Sequence, residues 1–168
     1  MDQFVARLLE DPEQIDQLFP VANLASGVSL ERWRRFALDW LQPPQAGRGI
    51  LIVQDRSGYV LALCSFQAIE DLCRGSVLSV ENLVAVDLIS GERIAAIMLE
   101  NLEGYARARG LSGLQIHITR GLTADDGASS ALALALGGQG YSLGAVRWVK
   151  TIDRSRQAAK ALRPIATR

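Results

Sequence analysis

The chain opens on apolar positions whose spacing predicts one strand and then two helices. Residues Phe4 to Leu9 are predicted to form the strand, and Pro12 to Leu24 the first helix, with Asp11 as its N-cap. Ser29 is predicted to cap the second helix, which ends before Pro43-Pro44. One face of that second helix carries apolar residues at steps of three and four, namely Leu30, Trp33, Phe36, Ala37 and Trp40.

The middle of the chain predicts three antiparallel strands followed by a long helix. Gly49 to Gln54 is a continuous apolar run, typical of a strand buried on both faces, and a turn sequence follows it. Tyr59 to Ile69 predicts the returning strand, and Val77 to Val86 the third. A helix from Gly91 or Glu92 to Arg109 comes next, stopped by Gly110. The apolar stripe of this helix consists of Ile94, Ile97, Met98, Leu102, Tyr105 and Ala106.

The last third of the chain predicts two further strands and one more helix. Leu114 to Ile118 alternates as a strand does, Ala128 to Leu136 is predicted to be helical, and Tyr141 to Ile152 forms one bent strand or a tight pair. From Asp153 to Arg168 the chain carries five basic residues against one acid, which predicts an exposed basic tail. We therefore assign residues 1–153 to a single domain and residues 154–168 to that tail.

This order of elements predicts an α/β domain built on one mixed sheet. Most neighbouring strands are predicted to be antiparallel, and helices cover both faces of the sheet. The strand–helix–strand unit over residues 77–118 is long enough for a right-handed crossover between two parallel strands.

Composition excludes several function classes. The 18 basic and 18 acidic residues cancel, so the chain lacks the broad positive field that attracts nucleic acid or an anionic membrane. Two cysteines, Cys64 and Cys73, are too few for a disulfide framework and predict reduced thiols in a cytoplasmic protein. The single histidine, His117, is predicted to be structural, and no metal site is expected.

The run from Val80 to Asp87, followed by Ser90 to Leu99, resembles the cofactor motif of the GNAT N-acetyltransferases. In that family a strand leads through a glycine-containing loop into a long helix. Further matches are Ala106 and Gly110 at the helix end, the next strand, and Gly140-Tyr141. The resemblance extends to about Asp153 and implies a GNAT-like fold, in which the parallel pair of strands splays apart.

Several positions depart from the family's pattern. Ser90 stands where the family has Gln or Arg, and Arg93 stands where it has the central glycine of the loop. Leu136 occupies the position at which many members carry a tyrosine acid, and Ser129 the position of a common asparagine.

The resemblance implies that acetyl-CoA is the cosubstrate and that a small-molecule or peptide amine is the acceptor. The main chain of Val84, Ala85 and Val86 would bind the pantetheine arm. Amides at the helix start would bind the pyrophosphate, because the first N–H groups of a helix have no partner within it. This predicted pyrophosphate site consists of Ser90, Gly91, Glu92, Arg93, Ile94 and Ala95. Dimers are common among proteins of this resemblance, so a homodimer is a further expectation.

Two residues are candidates for catalysis. Glu81, on the strand before the cofactor loop, is a candidate general base that acts through a water; the alternative is a solvated strand residue. Tyr141 is a candidate acid, with packing as its alternative. Asp87 is a second carboxylate, placed where it also suits the turn or the helix start.

The sequence alone does not decide which residues line the acceptor pocket or whether the protein is an enzyme. Trp33, Phe36 and Trp40 are expected either in the core or along an acceptor pocket, with loops near Asn23 to Gly27 and Asp71 to Gly75 completing that pocket. An N-acetyltransferase is the leading hypothesis. The alternatives are a non-catalytic GNAT-fold module that binds acyl-CoA or a protein partner, and a scaffold without cofactor.

Overall fold

The computed structural model describes residues 4–41, 47–86, 91–118 and 136–142. In chain order its elements are β1 Phe4–Leu8, a 3₁₀ turn Pro12–Gln14, α1 Ile15–Ser26, α2 Leu30–Leu41, β2 Arg48–Asp55, β3 Val60–Asp71, β4 Gly75–Ala85, α3 Gly91–Ala108 and β5 Gly113–Ile116. Residues 119–135 and 143–168 lie outside the described residues, and with them most of the predicted helix after Ala128, most of the last strand and the tail.

The predicted caps of the first two helices are present. Asp11 Oδ1 accepts the Glu13 N–H at 2.8 Å, and Ser29 Oγ accepts the Arg32 N–H at 3.3 Å. The first turn after Asp11 is 3₁₀ and not α, as is frequent at helix starts. The end of α1 comes later than predicted because Gly27, at φ 59°, adopts the left-handed conformation that closes a helix.

The strands form one mixed sheet in the order β1-β2-β3-β4-β5. The pairs β1–β2, β2–β3 and β3–β4 are antiparallel, and the pair β4–β5 is parallel. The helix α3 lies between the two strands in sequence, so the predicted parallel pair joined by this helix is confirmed. It ends where predicted, with Gly110 at φ 69° and the Leu111 N–H bonded to the Ala106 carbonyl at 3.0 Å.

Helices cover both faces of the sheet, as predicted. Alternate residues of β2 point to opposite faces, so Leu51 and Val53 join the core under α3, while Ile50 and Ile52 join the core under α1 and α2. The residues that α3 contributes to its core are Ile94, Ala95, Met98, Leu102 and Ala106. This double burial explains why β2 is apolar along its whole length.

The two thiols lie in opposite environments, which gives a direct test of the fold. Cys64 is fully buried on β3, and burial raises the pKa of its thiol to about 12. Cys73 lies exposed in the turn between β3 and β4. At pH 8 the buried group therefore stays a thiol, whereas the reactive species is the thiolate.

We expect a maleimide or disulfide reagent to label one cysteine in the native protein and two after unfolding. The native signal should disappear in Cys73→Ser and persist in Cys64→Ser, provided that the latter variant folds. Rapid native labelling of both thiols would contradict the placement of Cys64 on an internal strand.

Candidate active site

Within the described residues, the pairing of β4 with β5 ends at Val80, and the unpaired edge of β4 beyond it is called the gap. Strand β5 pairs with β4 only from Val77 to Val80, and the last bond joins the His117 N–H to the Val80 carbonyl at 2.9 Å. Beyond this point β4 continues along β3 as far as Ala85, but no described strand pairs with its other side. Among the described residues, the edge of β4 at residues 81–85 is therefore unpaired, as the predicted splay of the parallel pair requires.

A β-bulge lies at the start of this gap. The register passes from Ser65 opposite Glu81 to Leu63 opposite Val84, so two residues of β4 face one residue of β3. Asn82 takes φ 53°, a left-handed conformation that asparagine tolerates better than most residues. Nothing in the sequence pattern indicated this bulge, apart from an asparagine within an otherwise strand-like run.

Two side-chain hydrogen bonds hold the bulge. Asn82 Nδ2 donates to Ser65 Oγ at 2.8 Å, and Ser65 Oγ donates to the Glu81 carbonyl at 3.1 Å. Ser65 itself is buried, so its hydroxyl needs these partners. The bulge is thus a built feature of the sheet and not a frayed strand end.

The main chain of Ala85 faces the gap. The Val86 N–H bonds to the Leu61 carbonyl of β3 at 2.8 Å. Because the backbone groups of successive strand residues point alternately to the two sides, Val84 also faces β3, and Ala85 faces away from it. Of the three residues predicted to bind pantetheine, Ala85 is therefore the one best placed to bond a ligand that lies in the gap.

The predicted pyrophosphate site coincides with the first turn of α3, as far as it is described. Ile94 and Ala95 are buried in the core and fix this turn against the sheet, while the amides without a partner inside the helix are those of the residues before them. Glu92 and Arg93 are exposed, and the Arg93 guanidinium lies 5.7 Å from the centroid of the Phe4 ring. Ser90, with the rest of residues 87–90, lies outside the described residues.

A cavity of about 480 Å³ lies on the α1 and α2 side of the bulge. Trp33 and Phe36 line it, as do Ser26 and Gly27 at the end of α1, whereas Trp40 and the turn from Asp71 to Gly75 are not among its described lining residues. Its floor is formed by Ile50, Leu63, Ser65, Asn82, Leu83 and Val84.

Trp33 satisfies both sequence-based alternatives, because it is a core residue and a cavity wall at once. Its side chain is buried, and its Nε1 donates to the Ile15 carbonyl at 2.7 Å. It stacks on Phe36, with ring centroids 6.1 Å apart. A rigid aromatic wall of this kind gives the cavity a fixed shape.

Glu81 lies where the gap and the cavity approach each other. It is paired with Ser65, and cross-strand partners share a face of the sheet. Since Ser65 lines the cavity, the half-buried Glu81 side chain is on the cavity face as well. The structure thus brings together the candidate base, the bulge and the gap.

Tyr141, the other candidate catalytic residue, lies elsewhere. Its hydroxyl donates to Glu103 Oε1 at 3.1 Å. Burial and then the Glu103 charge raise the pKa of the Tyr141 phenol well above its usual range. Glu103 follows Gly91 by about 18 Å along the helix axis at 1.5 Å per residue. This placement favours the packing alternative, and an acid role for Tyr141 stays a prediction.

The described ranges contain neither a metal-binding cluster nor a helix suited to span a membrane. No three His, Cys, Asp or Glu side chains there come close enough together to hold a metal ion. None of the helices described there combines the length and apolar character needed to cross a bilayer.

Comparison with known proteins identifies the fold. No protein-family model matches the chain, and neither does any curated protein. Among solved structures, glucosamine-6-phosphate N-acetyltransferase of Arabidopsis thaliana matches 90% of this chain and 100% of its own, at a TM-score of 0.64 and 16% identity. An aminoglycoside 6′-N-acetyltransferase of Acinetobacter baumannii matches 89% and 99%, at a TM-score of 0.67 and 13% identity.

A third structure, an aminoglycoside N-acetyltransferase solved with a bisubstrate analogue that joins CoA to acetylneamine, matches 90% of this chain and 100% of its own, with a TM-score of 0.69 and 10% identity. These similarities extend over nearly the whole chain. The chain has the GNAT acetyltransferase fold.

Proposed function

We propose that this protein transfers an acetyl group from acetyl-CoA to an amine acceptor. The observation that carries the proposal is the position of the bulge at residues 81–83, with the sheet gap on one side and the cavity on the other. A thioester that enters along the gap and an amine held in the cavity would meet at this point. A structure of the same fold holds CoA joined to an acetylated amine, which supports this arrangement.

The chain's own groups have distinct roles in the proposed reaction. Within the predicted site from Ser90 to Ala95, the amides at the start of α3 that have no partner inside the helix bind the pyrophosphate, where the helix dipole favours negative charge. The pantetheine arm bonds the main chain of Ala85. Val84 and Val86, the other two residues predicted to bind pantetheine, pair with β3 instead and so fix the position of Ala85 between them.

Glu81 is the general base of the proposed reaction. Its carboxylate takes a proton from the ammonium form of the acceptor, directly or through a water, so that the nitrogen lone pair can attack the carbonyl carbon of the thioester. The nitrogen of the tetrahedral intermediate loses its second proton to solvent, the intermediate collapses to the amide, and the thiolate of CoA leaves. The thiolate gains its proton from solvent or from Tyr141, the remaining candidate acid.

One observation favours a second function, a non-catalytic module that binds acyl-CoA or a protein partner. Leu136 occupies the position at which the resemblance expects an acid, and it packs against the core under α3. The Tyr141 hydroxyl already donates a hydrogen bond to Glu103. Binding without turnover is the result that this alternative requires.

Acetyl-CoA is expected to stabilise the protein in a dose-dependent manner. A ligand that binds only the folded state at a hundred times its Kd adds about 2.7 kcal/mol to the free energy of unfolding. The measurement is the melting temperature with acetyl-CoA, with free CoA and adenosine diphosphate as controls. The absence of a shift at millimolar acetyl-CoA would refute the proposed cofactor site.

Arg93→Glu tests where acetyl-CoA binds. A carboxylate in the first turn of α3 would repel the pyrophosphate, so the shift in melting temperature should be largely lost. Arg109→Glu is the matched control, because Arg109 also lies over a ring, that of Tyr105 at 4.8 Å, but at the opposite end of the helix. Equal losses in both variants would argue against the helix start as the site.

A further inference from the structure

The walls of the cavity are mainly apolar, and each neutral polar side chain among its described lining residues already forms at least one hydrogen bond within the protein. Apart from glycine, its lining consists of eight apolar residues (Ala22, Val28, Trp33, Phe36, Ile50, Leu63, Leu83 and Val84), four neutral polar residues and one charged residue. Within the walls, Ser26 Oγ donates to the Ala22 carbonyl, and Ser65 and Asn82 bond each other. Such a surface binds an apolar or aromatic body by burial and not by hydrogen bonding.

Arg32 is the one charged residue among the described lining residues. It lies in the first turn of α2 and is exposed, which places its guanidinium at the mouth of the cavity. No acidic residue belongs to the described lining. The cavity is therefore positive at its mouth, although the chain as a whole is neutral.

The other two arginines of α2 show that Arg32 is different. Arg34 Nη2 lies 2.6 Å from Asp16 Oδ2, and Arg35 Nη2 lies 3.0 Å from Glu31 Oε1. The guanidinium of Arg32 forms no ion pair with any described residue. A guanidinium presents a planar set of donors that matches a carboxylate in two-point contact.

We propose that the acceptor is a small amine with an apolar or aromatic body and a carboxylate, which Arg32 pairs with at the cavity mouth. This inference rests on the proposed function, because it names the acceptor class of that same site. A cavity of about 480 Å³ suits a small molecule of this kind. The amine points inward to the bulge, beside Glu81, while the carboxylate stays at the solvent-exposed mouth of the cavity, beside Arg32.

The same charges disfavour polycationic acceptors. Ammonium groups other than the one beside Glu81 would lie against walls that have no acid among their described lining residues, and Arg32 would repel them. This expectation separates the protein from its structural neighbours that are named for aminoglycosides.

The test compares amino acids with the same molecules without their carboxylate. Phenylalanine, leucine and tryptophan are paired with 2-phenylethylamine, isoamylamine and tryptamine, and kanamycin represents the polycations. Release of CoA from acetyl-CoA is measured with a thiol reagent. The measurement uses a Cys73→Ser background, because the exposed Cys73 thiol would also react with that reagent. The quantity of interest is the kcat/KM ratio within each pair.

In the parent protein we expect at least one amino acid to exceed its decarboxylated partner and kanamycin to be the poorest acceptor. Arg32→Gln should lower that ratio roughly tenfold, the size of a charge-assisted contact. Arg35→Gln, the matched control on the same helix, should leave it unchanged. The inference is overturned if every decarboxylated amine equals or exceeds its amino acid, or if Arg32→Gln leaves the ratio unchanged.

A binding measurement keeps this result separate from the proposed function. Should acetyl-CoA bind without turnover, the melting temperature is measured with N-acetylphenylalanine and with N-(2-phenylethyl)acetamide. A larger rise in melting temperature with N-acetylphenylalanine than with N-(2-phenylethyl)acetamide supports the acceptor class even if transfer is absent, provided that Arg32→Gln removes this difference. Equal shifts overturn it. No response to acetyl-CoA and no CoA release with any amine would instead refute the proposed function.

Discussion

Glu81→Gln is expected to lower kcat/KM for amine acetylation roughly a hundredfold, within the range that a positioned general base contributes. The amide has the shape of the carboxylate but takes no proton. The main-chain carbonyl of Glu81, which accepts the Ser65 hydroxyl, is unchanged by this substitution. Loss of rate should therefore not come from loss of the bulge.

The stabilisation by acetyl-CoA should be the same in Glu81→Gln and in the parent protein, since Glu81 is not assigned to cofactor binding. Glu70→Gln is the matched control. Glu70 lies on the neighbouring strand β3 and pairs with Ser76 toward the far end of the same ladder, so its loss should leave turnover within about twofold. Full activity of Glu81→Gln would remove Glu81 from the mechanism and favour deprotonation of the amine by solvent.

Leu18→Ala is expected to reduce the free energy of unfolding by about 2–5 kcal/mol, the range for a leucine truncated in a packed core. Leu18 is only 1% exposed and belongs to the core between α1, α2 and the sheet. Its removal leaves a void beneath the helix that also carries part of the cavity wall. Urea denaturation, monitored by tryptophan fluorescence, measures the loss.

Leu24→Ala supplies the comparison within the same helix. The chemical change and the change in helix propensity match those of Leu18→Ala, but Leu24 is 66% exposed. We expect its effect to stay within about 0.5 kcal/mol. If the two variants lost similar stability, α1 would not lie on the sheet in the orientation described.

Much of the secondary structure was predictable, because its signals are local. The cap at Asp11 and the stop at Gly110 depend on neighbours a few residues away in sequence. The continuous apolar run of β2 indicated that both of its faces are buried. The resemblance to the GNAT motif then supplied the order of the parallel pair and the expected splay.

The placement of the candidate site was less predictable. Arg32 was one of three arginines in the sequence of α2, and only the ion pairs of Arg34 and Arg35 with acids set it apart. Tyr141 was a candidate acid by sequence, yet its bond to Glu103 places it near the far end of α3. Whether the role of Glu81 is catalytic stays a prediction.

The sequence by itself determined the helices, the strands and the two buried faces of the sheet, since hydrophobic period and capping act over a few residues. The bulge at Asn82, the gap after Val80 and the cavity beside Trp33 were decided only by the tertiary structure. Each of these depends on register or packing between segments far apart in the chain, and a local pattern carries no information on which residue meets which across such distances.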